Sequence, residues 1–412
     1  MDKDFKALLL QEGFLSPQEI EFLFQKSYDI TVATHMIENA IGYFPMPLGL
    51  VTNFKVNEKS YTLPIVTEET SVVAALQKTA FWVSKNGFIT ASTQENNSII
   101  GQLHLPQVKD LKKLTDFIES QKQSLIQSLN EGPCKSMATR GGGVQELEFR
   151  VLEQGNPYSI CVVHLFLDAK DAMGANTITQ ACEYLKRLIE SQTQETVLMS
   201  ILSNYNPQNL VSVEIELKNI LPDVGEKIAL ASKMAQLDTY RAVTHNKGIM
   251  NGMDAFIIAT GNDFRACEAA LHAYAARSGS YKGLSVWTYE EGCLKGTLKA
   301  PLILGTVGGA LNAHPHAKLC LKMTGIKESK ELKKVALSVG LIQNLAALRA
   351  LVSGGLTQGH MRLHIRNFAL NYGLEQDLEK LLIKKASSLL EKQGYILNSD
   401  VEALAIELKG TL

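Results

Sequence analysis

The chain has 412 residues, 45% of them hydrophobic, with 41 Lys and Arg against 42 Asp and Glu and a formal net charge of -1. That length exceeds what one hydrophobic core holds, so two or three domains are expected. The balanced charge, without a long basic block, argues against a nucleic-acid or membrane-surface partner and for small ligands or self-association.

The N-terminus, MDKDFKALLLQEGFL, is charged and has only a short apolar patch, so it reads as neither signal peptide nor anchor and a cytoplasmic protein is expected. Cys134, Cys161, Cys182, Cys267, Cys293 and Cys320 form no CxxC pair and no zinc spacing, which points to reduced core thiols. LSPQEIEFLFQ, with Ser before Pro and then 3.6-type apolar spacing, predicts a short helix. YTLPIV reads as a strand and TEETSVVAALQKTAFWVSKNG as a packed helix that begins near Glu69 and ends at Gly87. Glu68 and Glu69 at this junction suit a helix dipole. Alternatively, one of them, half-buried beside Val66 and Val72, has a raised pKa and donates a proton.

Residues 97 to 206 read as a separate α/β unit: a long polar helix (VKDLKKLTDFIESQKQSLIQSLN), a glycine triplet in RGGGV, and the strands ELEFRVLE and SICVVHLFLDA. DAMGANTITQACEYLKRLIE then sets Asp171, Gly174 and Asn176 at the head of a helix. Glycines and an uncapped helix N-terminus can both hold phosphate, although neither stretch is the GxGxxG fingerprint and a glycine triplet is as often a plain turn. From about 207 the chain is again rich in alanine and glycine, with helices at ACEAALHAYAAR and LKKVALSVGLIQNLAALRAL.

THNKGIMNGMDAFIIATGNDFRA, from Thr244 to Ala266, sets Lys247 and Asp263 on either side of an apolar segment, Ala255 to Ala259, that reads as a buried strand. If the Gly- and Asn-rich loop folds back over that strand, lysine and aspartate can pair, which keeps the lysine protonated and aimed at a developing oxyanion. The plain alternative is a surface lysine and a helix-capping aspartate. His314 and His316, in AHPHAK, read as loop residues. His360 and His364, in QGHMRLH, could share a helix face. Without an HExxH pattern or a third ligand no metal is expected, and His360 among glycines suits a general acid on a swinging segment. A charged helical tail is expected from about Asn371 to Leu412.

Seven motifs in order, ENAIG, PIVTEETSVVAA, DAMGANT, ILSN, THNKGIMNG, ATGNDFRA and GHMRLH, resemble hydroxymethylglutaryl-CoA reductases of the soluble bacterial type, class II. The resemblance implies reduction of the HMG thioester to mevalonate and CoA by two reduced nicotinamides, or the reverse. It implies catalytic roles for Glu69, Lys247, Asp263 and His360: Lys247 on the oxyanion and held by Asp263, Glu69 protonating the aldehyde oxygen, and His360 protonating the CoA thiolate. Ser71, Arg241 and Asn251 match substrate contacts. Asp171, Met173, Gly174, Asn176 and Asn204 match cofactor contacts, and Glu146, near the adenosine ribose, favours NADH over NADPH because an acid suits a free 2′-hydroxyl.

The implied fold is α+β and multidomain. Its large, mostly helical substrate domain (1–96 and 207–356) is interrupted by a small ferredoxin-like α/β cofactor domain of the non-classical dinucleotide-binding kind (97–206) and followed by a C-terminal helical flap (357–412). A homodimer with the site at its interface and ENAIG nearby is implied too. The alternative is a silent CoA-ester or nucleotide-binding regulatory protein on the same scaffold, which would be expected to lose one of the catalytic four.

Overall fold

The structure, a computed structural model, describes residues 5–25, 28–94, 98–353, 376–394 and 396–410, and positions 365, 369 and 372. The chain opens with three short helices, α1 (Phe5–Glu12), α2 (Pro17–Leu23) and α3 (Ile30–Met36). Ser16 and Glu19 form a reciprocal capping box at α2, as Ser-Pro predicts, and Lys322 holds the Glu19 carboxylate from across the fold at 2.6 Å. A hairpin follows, β1 (Leu48–Val56) and β2 (Lys59–Val66), then α4 (Val72–Asn86) and β3 (Gly87–Thr93). Asn57, in the hairpin turn with positive φ, exchanges two 2.8 Å side-chain bonds with the Ala91 backbone and so fixes the hairpin to β3.

From β3 the chain leaves for a second sheet. Its elements run β4 (Ser98–Val108), α5 (Leu111–Glu131), α6 (Lys135–Ala138), β5 (Gly143–Glu153), β6 (Ser159–Asp168), α7 (Ala175–Thr193) and β7 (Met199–Ser203). Strand order is β5-β6-β4-β7, antiparallel throughout, which is a β-α-β-β-α-β succession. The alternating apolar residues Leu103, Leu105, Val163 and Leu165 meet Leu114, Ile118, Ile178 and Leu185 of α5 and α7 in a core separate from the main one. Gly101 leaves the room that the Cys182 thiol of α7 fills.

The chain then returns through β8 (Leu210–Leu217), which pairs with β3, so the second sheet is inserted between two hydrogen-bonded neighbours. The main unit continues with α8 (Pro222–Leu237), α9 (Thr239–Ala259), α10 (Phe264–Ala275), β9 (Ser285–Glu290), β10 (Cys293–Pro301), α11 (Pro315–Met323) and α12 (Ser329–Val352). Its sheet has the order β3-β8-β10-β9. Helices α13 (Gln376–Gln393) and α14 (Asn398–Gly410) close the chain and share a small core of Leu382, Ala386, Val401 and Ala405.

Three expectations are corrected. Ala255 to Ala259 is the last stretch of α9 and not a strand, and Lys247 is a helix residue and not a loop residue. Asp238 starts that helix by accepting from the backbone N–H groups of Tyr240 and Arg241, and a stripe of Ala242, Ile249, Met253 and Phe256 buries it. Its glycines, which read as loop signals, serve packing. A Cβ at Gly252 would lie 2.9 Å from the Gln343 Cβ of α12, and one at Gly340 of α12 would lie 2.8 Å from Ile249. Likewise His314 caps α11 and His316 lies within it.

Candidate active site

Helix α9 carries Arg241, Lys247 and Asn251 toward α4 and α12. Facing it, the loop between β2 and α4 places Glu69 within hydrogen-bond range. Lys247 Nζ donates to Glu69 Oε2 at 2.6 Å, and Asn251 Nδ2 donates to Glu69 Oε1 at 3.2 Å. Lys247 and Asn251 are four apart on the helix, so one face grips both oxygens of the carboxylate. Ser71 heads α4 with φ +73°, a strained conformation for serine, and its hydroxyl does not cap the helix.

These residues line a cleft of about 600 Å³. Its charged lining is Lys78, Arg241, Lys247 and Arg349 against the single carboxylate of Glu69, a surplus of cations suited to an anionic ligand. Burial lowers the pKa of both Arg241 and Arg349, and Arg349 stacks over Trp82 at 4.2 Å.

One cleft wall was missed by sequence reasoning. Trp287 Nε1 and Ser285 Oγ both donate to Asn344 Oδ1, at 2.9 and 2.8 Å, so the Ser285 oxygen accepts at 2.6 Å from His245 Nε2–H. That places a proton on Nε2 of His245. Burial, with Arg241 adding to it, pushes its pKa down to about 4. The signal available was Gln343-Asn344, a polar pair inside the otherwise apolar helix sequence LIQNLAAL.

Asp263 does not pair with Lys247. From Lys247 the helix runs roughly 18 Å before the turn, at about 1.5 Å per residue, where a folded-back loop would have returned the chain. Asp263 instead caps α10, accepting from Ala266 N–H at 3.0 Å. It lines a smaller cavity of about 70 Å³ together with Met173, Ala175, Asn204, Asn206 and Cys267. Gly174, φ +78°, stands at the N-cap of α7, which has no side-chain cap. A Cβ there would meet Ile99 at 2.6 Å and Ala169 at 2.7 Å, so packing requires the glycine, and the first N–H groups of α7 are left without a side-chain cap.

Asp171 brackets the two units: its carboxylate accepts from Ser329 N–H at 2.8 Å and its carbonyl from Thr306 N–H at 2.8 Å. Asn176 is exposed on the first turn of α7. Glu146, on β5, pairs with Lys122 at 3.3 Å and lines a further cavity of about 380 Å³ with Gln94, Gln145, Phe166 and Gln208. His360 and His364 lie outside the described residues. All six cysteines are free thiols, and no cluster of metal-ligating side chains occurs among the described residues.

A lysine and a half-buried acid bonded together in a cationic cleft are the arrangement of an enzyme of the proton-handling, oxyanion-stabilising class. The family described as hydroxymethylglutaryl-coenzyme A reductase matches residues 5–365. The 3-hydroxy-3-methylglutaryl-coenzyme A reductase of Archaeoglobus fulgidus is 40% identical over 370 residues, covering 88% of this chain and 83% of the relative. A probable reductase of the same name from Borreliella burgdorferi is 34% identical over 375 residues, covering 88% and 82%. Among solved structures, the reductase of Streptococcus pneumoniae superposes with TM-score 0.80 at 39% identity, covering 85% of this chain and 96% of that one. A class II structure from the same organism, described as bound to NADPH in open conformations, superposes with TM-score 0.79. The chain belongs to the hydroxymethylglutaryl-coenzyme A reductase family, class II. The silent regulatory alternative is not favoured.

Proposed function

We propose that this enzyme interconverts the HMG thioester and mevalonate plus CoA, with the charged cleft as the thioester site. The observation that carries the reading is the 2.6 Å Lys247 to Glu69 bond between the oxyanion and proton-donor candidates, flanked by Ser71, Arg241 and Asn251. When bound, a reduced nicotinamide supplies hydride. Lys247 stabilises the oxyanion that forms on the thioester carbonyl, and Glu69 gives the proton that completes reduction of the aldehyde. Arg241 and Ser71 hold the substrate's polar groups, and His360 protonates the departing CoA thiolate. Asp263 acts from the smaller cavity and not through a bond to Lys247.

In this reading residues 97–206 form the ferredoxin-like cofactor domain, 1–96 and 207–356 the substrate domain, and 357–412 the flap. Asp171, Met173, Gly174, Asn176 and Asn204 hold the dinucleotide. Glu146 selects the free ribose hydroxyl of NADH over NADPH. The enzyme works in the cytoplasm as a homodimer, a reading supported by the exposed Ile41 and Phe44 in and beside ENAIG. Following nicotinamide absorbance on adding HMG-CoA, with NADH and NADPH in turn, tests the reading. Oxidation should require the thioester, and no oxidation with either cofactor would reject it.

A further inference from the structure

Beyond the substrate cleft, and sharing Glu69 and Asn251 with it, is a rear cavity of about 190 Å³ that Thr67, Asp254 and Phe264 also line. Lys247 lines only the cleft and Asp254 only the rear cavity, so Glu69 and Asn251 are the polar residues common to the two spaces. Asp254 continues the α9 face that carries Lys247 and Asn251, one turn further on. Its Oδ1 is buried and has no hydrogen-bond partner, and the group faces the Glu268 carboxyl of α10. Burial first, then the charge of Glu268, pushes Asp254 up to about 8, so the pair keeps a proton near neutrality.

The other ionisable groups around it do not relieve this. Glu68 and Glu69 border the cavity from the loop before α4, Lys247 is engaged by Glu69, and the Cys267 thiol of α10 adds only another acid that sees both Asp254 and Asp263. Lys333, whose influence reaches Cys267, donates to Asn209.

This geometry bears on a requirement of the proposed reaction, and the inference rests on Glu69 as its proton donor. Glu69 loses one proton per turnover. The carboxylate bonded to Lys247 is the form left behind, and in this reading the thioester fills the cleft side. We propose that Asp254, backed by Glu268, is the proton store that recharges Glu69 through water in the rear cavity. The O–H bond of Asp254 breaks, a proton passes along the water, and an O–H bond forms on Glu69. Asp254 is left as a carboxylate and is reprotonated from solvent by way of the partly exposed Glu268; no electrons move. Asp254 never touches substrate and is therefore a positioning residue for the proton.

The test compares full-length wild type, E69Q, D254N and D254E in HMG-CoA reduction, recording kcat and KM across about pH 6 to 9, in H₂O and D₂O. E69Q should lose about 100-fold or more in kcat, and D254N about tenfold with KM unchanged. The kcat of D254N should fall at lower pH than wild type, show a larger solvent isotope effect, and recover with added imidazole, while D254E restores the wild-type profile. If D254N does not fold, E268Q reads the same store. A D254N enzyme with wild-type profile and isotope effect beside an inactive E69Q overturns the store and leaves the role of Glu69 intact. A D254N loss that imidazole does not rescue, with the pH profile unmoved, also overturns it. An active E69Q overturns both readings.

Discussion

Replacing Lys247 with alanine separates chemistry from stability, because the structure assigns the two very different magnitudes. The ammonium lies 2.6 Å from Glu69, but the two side chains are 59% and 36% exposed, so the pair contributes only about 0–1 kcal/mol to folding. Alanine is also at least as good a helix former as lysine in α9, which offsets a few tenths of that. The melting temperature should therefore move by less than about 4 °C. In the proposed reaction turnover depends on the same ammonium through the oxyanion, where removal of one donor costs about 100- to 1000-fold, or about 2.7–4 kcal/mol. Calorimetry and the nicotinamide absorbance assay on the same K247A preparation measure both. Turnover within about tenfold of wild type would refute the assignment. A melting temperature lowered by more than about 8 °C would refute the stability argument, since the lost activity could then be lost fold.

Gly174→Ala forces a Cβ into Ile99 and Ala169 at positive φ. It should destabilise the protein by about 1–3 kcal/mol and raise the nicotinamide KM, read by urea unfolding and initial rates. His245 has a folded pKa near 4, below its ordinary 6.5, so the unfolded chain binds the extra proton between those values. Its contribution to stability is complete above 6.5 and lost as pH falls toward 4. H245Q should be less stable at neutral pH but show a shallower loss across that window, and parallel unfolding curves for the two proteins would contradict this. E146A should lower the NADH to NADPH ratio of kcat/KM about tenfold; a wild-type preference for NADPH would remove Glu146 from cofactor selection.

The helices α5 and α7 of the inserted unit were readable because their apolar residues recur every three or four positions, and local pattern decides such cases. The run AFIIA failed for the same reason. Five apolar residues fit a buried strand or a buried helix end, and what decides is α12, whose Gln343 and Gly340 meet α9 at its own glycine and at Ile249. The helix reading then changes the site, because along an α-helix Lys247 shares a face with Asn251 and Asp254, where a loop would have aimed it at Asp263. Its actual partner lies 178 residues away, and no spacing rule reaches that far.

A usable signal does survive in the sequence: a polar side chain inside an apolar helical run. Burying one without a partner costs about 1–3 kcal/mol, so each such position demands either a bonding network or a cavity. Gln343 and Asn344 in LIQNLAAL lead to the His245 wall of the cleft, and Asp254 in GMDAFIIA leads to the space behind Glu69. Lys333 carries no such signal, because it sits in the charged run SKELKK, and only the fold shows it buried against Asn209. Both signals belong to helices whose burial they weaken, and each leads to a part of the molecule that the proposed reaction uses: the wall of the charged cleft and the proposed proton store.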